Sequence, residues 1–101
     1  MTKGYWVVHV DITDKDRYQQ YMNANGAAFG KYGARFLVRG GQFTTVEGNT
    51  RSRHVVLEFP SYQAALDCWH SPEYQSALAH RQGASNIDVM IIEGYDGPQP
   101  A

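Results

Sequence analysis

From Gly4 to Ile12 the chain alternates, with Trp6, Val8, Val10 and Ile12 on one side and Tyr5, Val7, His9 and Asp11 on the other. That is the two-residue period of a strand. Thr13, followed three residues later by Asp16, reads as a helix N-cap with an acidic first turn, so a helix is expected from about Asp14. Within it Tyr18, Tyr21, Met22, Ala28, Phe29 and Tyr32 recur at spacings of three and four, a single stripe turned towards a sheet. Gly26 and Gly30 weaken this helix and Gly33 is placed to end it.

Arg35 to Glu47 reads as a second strand, interrupted at Gly40-Gly41, where missing side chains invite a bulge or a bend; Gly48-Asn49 begins a turn. Arg53 to Phe59 alternates again, Val55, Leu57 and Phe59 against His54, Val56 and Glu58, so the second and third strands form a hairpin. After Pro60, Ser61 can cap a short helix whose stripe is Tyr62, Ala65, Leu66 and Trp69. Ser71-Pro72-Glu73 restarts it with a cap, a first-turn proline and an acid, and the second piece carries Tyr74, Ala77, Leu78 and Arg81 up to Gly83. Asn86 to Gly94 is a last strand, with Ile87, Val89 and Ile91 opposite Asp88, Met90 and Ile92.

The order strand, helix, strand, strand, helix, strand, joined by right-handed crossovers, predicts an α+β ferredoxin-like βαββαβ domain with a four-stranded antiparallel sheet in the order 4-1-3-2. A single domain is expected over residues 1–95, followed by a flexible tail over 96–101. Both helices then lie on one face. The bare face would carry Tyr5, Val7, Val56, Met90 and Ile92 and is too greasy for water, so a homodimer through that face is predicted.

Composition narrows the partners. Nine basic and ten acidic residues among 101 give a net charge of -1, without the basic stripe that nucleic acid or an anionic membrane needs. No apolar run approaches the roughly 18 residues of a membrane span. The single cysteine, Cys68, can form no internal disulfide, which points to a reduced, cytoplasmic setting.

Gly4-Tyr5-Trp6, Arg39-Gly40-Gly41, Glu47-Gly48, Glu58-Phe59-Pro60-Ser61, Ser71-Pro72-Glu73-Tyr74-Gln75 and Arg81 stand in an order and spacing that resembles the domain-of-unknown-function family numbered 1330. The resemblance runs from about Gly4 to Gly94. It implies a subunit of the dimeric α/β-barrel superfamily, which holds cofactor-free monooxygenases, haem-degrading enzymes, lactone isomerases and plain ligand-binding domains, so it selects no reaction. Haem-degrading members place a tryptophan and an axial histidine on the corresponding helix. Here Trp69 is offered with His80, but His80 lies off the Tyr74, Ala77, Leu78 and Arg81 stripe. No cofactor is expected, and the four histidines, His9, His54, His70 and His80, show no metal-ligand spacing.

The residues with most chemistry are polar groups on apolar strands: His9 and Asp11 on the first, Arg39 on the second, His54 and Glu58 on the third. On one face, His9 or His54 would serve as a base while Arg39 holds an anionic or enolic oxygen. The plainer alternative is an ion-pair network or a solvated sheet edge. Arg39 is the expected partner of Glu58. Trp69, Tyr74 and Arg81, bent at Pro72, would wall a small-molecule pocket with Glu58, although such a stripe is ordinarily core, with the Arg81 head reaching water. The expectation is therefore a homodimer that takes an apolar or aromatic metabolite between sheet and helices, with any activity being cofactor-independent proton transfer or oxygenation. The alternative is a non-catalytic ligand-binding or dimerisation module.

Overall fold

The computed structural model describes residues 2–101; Met1, the first residue of the expected domain, lies outside the described residues. Seven elements follow in order: β1 (Gly4–Ile12), α1 (Lys15–Lys31), β2 (Arg35–Arg39), β3 (Arg53–Phe59), α2 (Tyr62–His70), α3 (Pro72–Arg81) and β4 (Ser85–Glu93). The strands form one antiparallel sheet in the order β2-β3-β1-β4, the expected topology read from its other edge. The helical half after β3 is two helices that share Ser71, which ends α2 and caps α3 with its hydroxyl on the Tyr74 amide. No strand or helix follows Glu93.

Strand parity holds as the alternation requires. Trp6, Val8, Val10, Val55, Leu57 and Phe59 are buried under the helices with Tyr18, Tyr21, Ala28, Phe29, Ala65, Cys68, Tyr74 and Ala77. Trp6 is the centre of this layer: its ring packs edge-on to Tyr74 at 4.9 Å and to Phe29 at 5.4 Å, and its indole N–H donates to the Ala65 carbonyl at 2.9 Å. Burying an aromatic ring of this size is worth up to about 4–6 kcal/mol by area, and the satisfied N–H removes the penalty that would offset it. Gly4, at the start of β1, lies so close to the α2 entrance that an added Cβ would meet the Ser61 carbonyl oxygen at 2.5 Å. Only glycine lets strand and helix approach that closely.

Three local expectations are corrected. The cap of α1 is Asp14, not Thr13; its carboxylate accepts from the Arg17 amide at 3.1 Å. The second strand stops at Arg39 instead of running to Glu47, because Gly40 turns to φ +66°. The chain does bend at Gly40, as one of the two alternatives there required, but the bulge of the β2–β3 ladder falls between Phe36 and Val38. The extra residue, Leu37, moves every side chain beyond it to the opposite face.

Candidate functional site

Between α1 and the helix-side face of the sheet lies a narrow cleft, part-open to solvent, with a cavity volume of about 30 Å³, room for about a water molecule. Trp6, Val8, Val55, Leu57, Ile87 and Val89 floor it; Tyr18, Tyr21, Met22, Asn25 and Phe29 of α1 roof it. Phe36, Arg39 and Arg53 line the β2–β3 side and Tyr74 the α3 side. Asn25 is buried although polar. Apolar walls with a few convergent polar groups are the usual make-up of a small-molecule site.

The polar groups of the cleft are phenols and guanidiniums. The Tyr21 and Tyr74 hydroxyls share a hydrogen bond at 2.8 Å, and Arg81 donates to the Tyr74 hydroxyl at 3.3 Å while its guanidinium stacks over the Tyr21 ring at 5.1 Å. Arg81 is only 7% exposed, so its head does not reach water as the helical stripe suggested. Burial pushes the Tyr18 hydroxyl up to about 12, against the pull of Arg81 and Arg53, and raises Tyr74 too. The Tyr18 and Tyr74 hydroxyls are therefore neutral at physiological pH.

On the opposite, helix-free face, His9 and His54 stand directly across the β1–β3 ladder with their Nδ1 atoms 2.7 Å apart, one imidazole donating and the other accepting. Phe43 packs edge-on to His54 at 4.5 Å. Beside them Arg51 donates to Asp11 and Asp88, each at 2.9 Å, and the Ser52 amide donates to Asp11 at 2.8 Å. Those Ser52 hydrogen bonds, with Arg51 adding to them, hold the Asp11 carboxyl below its usual range. A hollow of about 240 Å³ opens here between His9, Asn49, Thr50, Arg51 and Asp88. Tyr5, Val7, Val56, Val38, Met90 and Ile92 share this face, and the last three are exposed.

The expected site is thus split by the sheet. His9, His54 and Glu58 lie on the open face; Arg39, carried across by the Leu37 bulge, lines the cleft on the other side, where it sits over the Phe36 ring at 4.2 Å. Glu58 pairs with Arg35 across the ladder at 3.8 Å and accepts from the Tyr5 hydroxyl at 3.1 Å, so Arg35 takes the place expected of Arg39. Tyr74 lines the cleft with Arg81 behind it, whereas Trp69 packs against Trp6 at 5.6 Å and Tyr74 at 5.2 Å, outside the lining. His80 is exposed. Cys68 is fully buried and its thiol is pushed up to about 12 by burial, which makes it unreactive. Among the described residues, no three His, Cys, Asp or Glu side chains stand close enough to hold a metal ion, and no helix is long and apolar enough to cross a membrane.

Two lining residues escaped the sequence reading. Asn25 falls four residues after Tyr21 and three before Ala28, on the apolar stripe, and Arg53 lies two residues before Val55, on the buried parity of its strand. A polar residue at an apolar position was the available signal in both cases.

A four-stranded antiparallel sheet in this order, covered by helices on one face, defines a ferredoxin-like α+β fold. The chain belongs to the family described as "Domain of unknown function (DUF1330)", which it matches over residues 3–95. No curated protein matches it significantly. Among solved structures it is similar to the RPA0582 protein of unknown function from Rhodopseudomonas palustris, with TM-score 0.75 and 17% identity over 95% of this chain and 85% of that one. It is also similar to SnoaB, a cofactor-independent oxygenase from Streptomyces nogalater, with TM-score 0.60 and 10% identity over 99% and 97% of the two chains. A dimeric ferredoxin-like protein of unknown function from Thermobifida fusca gives TM-score 0.58 and 13% identity over 91% and 89%. At these identities the likeness concerns the fold.

Proposed function

We propose that this protein is a homodimer that binds a small apolar or aromatic molecule in the cleft between α1 and the sheet. The observation that carries the reading is the cleft itself: an opening into an otherwise packed aromatic core, with buried tyrosine hydroxyls and guanidiniums turned to it. The void itself is about the size of a water molecule, and a ligand would extend from it through the solvent-open mouth. Pairing through the open face accounts for Met90 and Ile92, 51% and 45% exposed on one sheet surface, and the similar Thermobifida fusca protein is described as dimeric.

Binding is better supported than proton abstraction, since among the described residues no imidazole or carboxylate lines the cleft and the Tyr18 and Tyr74 hydroxyls hold their protons. A second reading, cofactor-independent oxygenation, draws on the fold shared with SnoaB. Native mass spectrometry of the purified protein tests the first: a dimer carrying an additional small mass, released on unfolding, is expected. A monomer without added mass, together with unchanged Trp6 emission across a panel of aromatic compounds, would refute it.

A further inference from the structure

Cations and anions are matched on the open face and unmatched in the cleft. Arg51 faces two carboxylates, and Arg35 faces Glu58. Arg39 and Arg53 line the same side of the cleft, yet among the described residues no carboxylate lies within ion-pairing distance of either. The Arg53 Nε–H is buried and has no hydrogen-bond partner, and the same is true of the Arg81 Nε–H, behind Tyr21 and Tyr74 on the α3 side. A buried guanidinium N–H without an acceptor is the costly state, and a carboxylate matches its planar fork in two parallel bonds.

The fold holds this arrangement in place. The Leu37 bulge brings Arg39 to the helix-side face, and the parity of β3 puts Arg53 on the same side. Gly40, next to Arg39 in the chain, donates its amide to the His54 carbonyl at 2.8 Å and leaves room for the Arg53 guanidinium that a Cβ would overlap. Two like charges are thereby kept on one side of the cleft, among the described residues without a paired carboxylate, and Phe36, Phe29, Tyr18 and Tyr21 line it with them.

We infer that the ligand is an aromatic or apolar carboxylate, its acid group held by Arg39 and Arg53 at the mouth and its apolar body between α1 and the sheet. The inference rests on the reading of the cleft as a ligand site and adds the charge of the ligand. Arg53 is then a binding residue, and Arg81 supplies positive potential from behind Tyr21 and Tyr74.

Benzoate and its uncharged isostere benzamide separate the two ideas. In titrations of the intact protein at pH 7, followed by Trp emission and by NMR, benzoate is expected to bind at least about tenfold more tightly than benzamide. That preference should weaken with added chloride and shrink to near unity in Arg53→Gln. Arg39→Gln, at an exposed position that folding tolerates, should lose most of it as well. Equal binding of both probes, or a benzoate preference unchanged in Arg39→Gln and Arg53→Gln, would overturn the inference and leave the cleft as a site for neutral molecules. Failure of both probes to perturb any cleft residue would overturn the cleft reading with it.

Discussion

The Arg53 guanidinium occupies the space that a side chain at position 40 would fill, so the backbone of Gly40 and the head of Arg53 exclude any larger residue between them. Gly40 also sits at φ +66°, a conformation that costs other L-residues about 1–2 kcal/mol. Gly40→Ala is therefore expected to lower stability by about that amount in chemical denaturation and to displace Arg53 from the cleft. A variant as stable as the parent would contradict the geometry of this corner.

Ser71 is the joint of the second helical half. Its hydroxyl donates to the Cys68 carbonyl at 2.7 Å and accepts from the Tyr74 amide at 3.1 Å, and the residue is 3% exposed. Ser71→Ala should cost about 1–2 kcal/mol in urea denaturation, the upper range for a lost cap, because no water can replace the hydroxyl. Since Tyr74 is the first residue after the cap to enter the cleft, ligand affinity should fall with it.

Asp11 gives the fold an acid-sensitive tie. Its carboxyl is held below the ordinary 3.8, first by the Ser52 hydrogen bonds and then by Arg51. A carboxylate with a folded pKa below its unfolded value stabilises at pH values above the unfolded one, and that contribution disappears as pH falls through the folded pKa. Stability measured from pH 6 downwards should drop below about pH 4, and Asp11→Asn should be less stable at neutral pH with a flatter acid limb. Parallel pH curves for the two proteins would show that the Arg51 network contributes nothing.

Met90 lies in the middle of β4 on the face proposed to pair. Two-fold pairing would bury both copies, so Met90→Lys places two unpaired ammonium groups in one interface and should weaken association at least about a hundredfold in sedimentation equilibrium. The cleft, on the other side of the sheet, should keep its ligand. A parent protein that sediments as a monomer at micromolar concentration would remove the basis of the pairing.

Most of the fold was legible because alternation in β1, β3 and β4 is strict and each helix carries a cap or a stop in its own sequence. The candidate site was legible only in pieces. Without the bulge, Arg35, Leu37 and Arg39 would share one face, which makes Arg39 the natural neighbour of Glu58 and of the histidines; one inserted residue sends Arg39 through the sheet plane. Nothing in Arg35-Phe36-Leu37-Val38-Arg39 marks Leu37 as the extra residue, since all five are exposed on a short edge strand that packing constrains weakly. The glycines at 40 and 41 marked the bend correctly but not the bulge, because Gly40 serves to end the strand and admit Arg53. The sequence offers His9 and His54 only as alternative bases among the polar residues of the strands; their pairing across the ladder depends on the register, and their separation from Tyr74 by the thickness of the sheet on which side the helices cover.

Chemical-shift mapping of the 15N-labelled protein with benzoate tests the account at its centre. Shifts should concentrate on Tyr18, Tyr21, Asn25, Phe36, Arg39, Arg53 and Val55, with Val7, His9, Met90 and Ile92 unmoved. Shifts confined to Val7, His9, Met90 and Ile92 would put the ligand on the face assigned to a second copy and contradict the account.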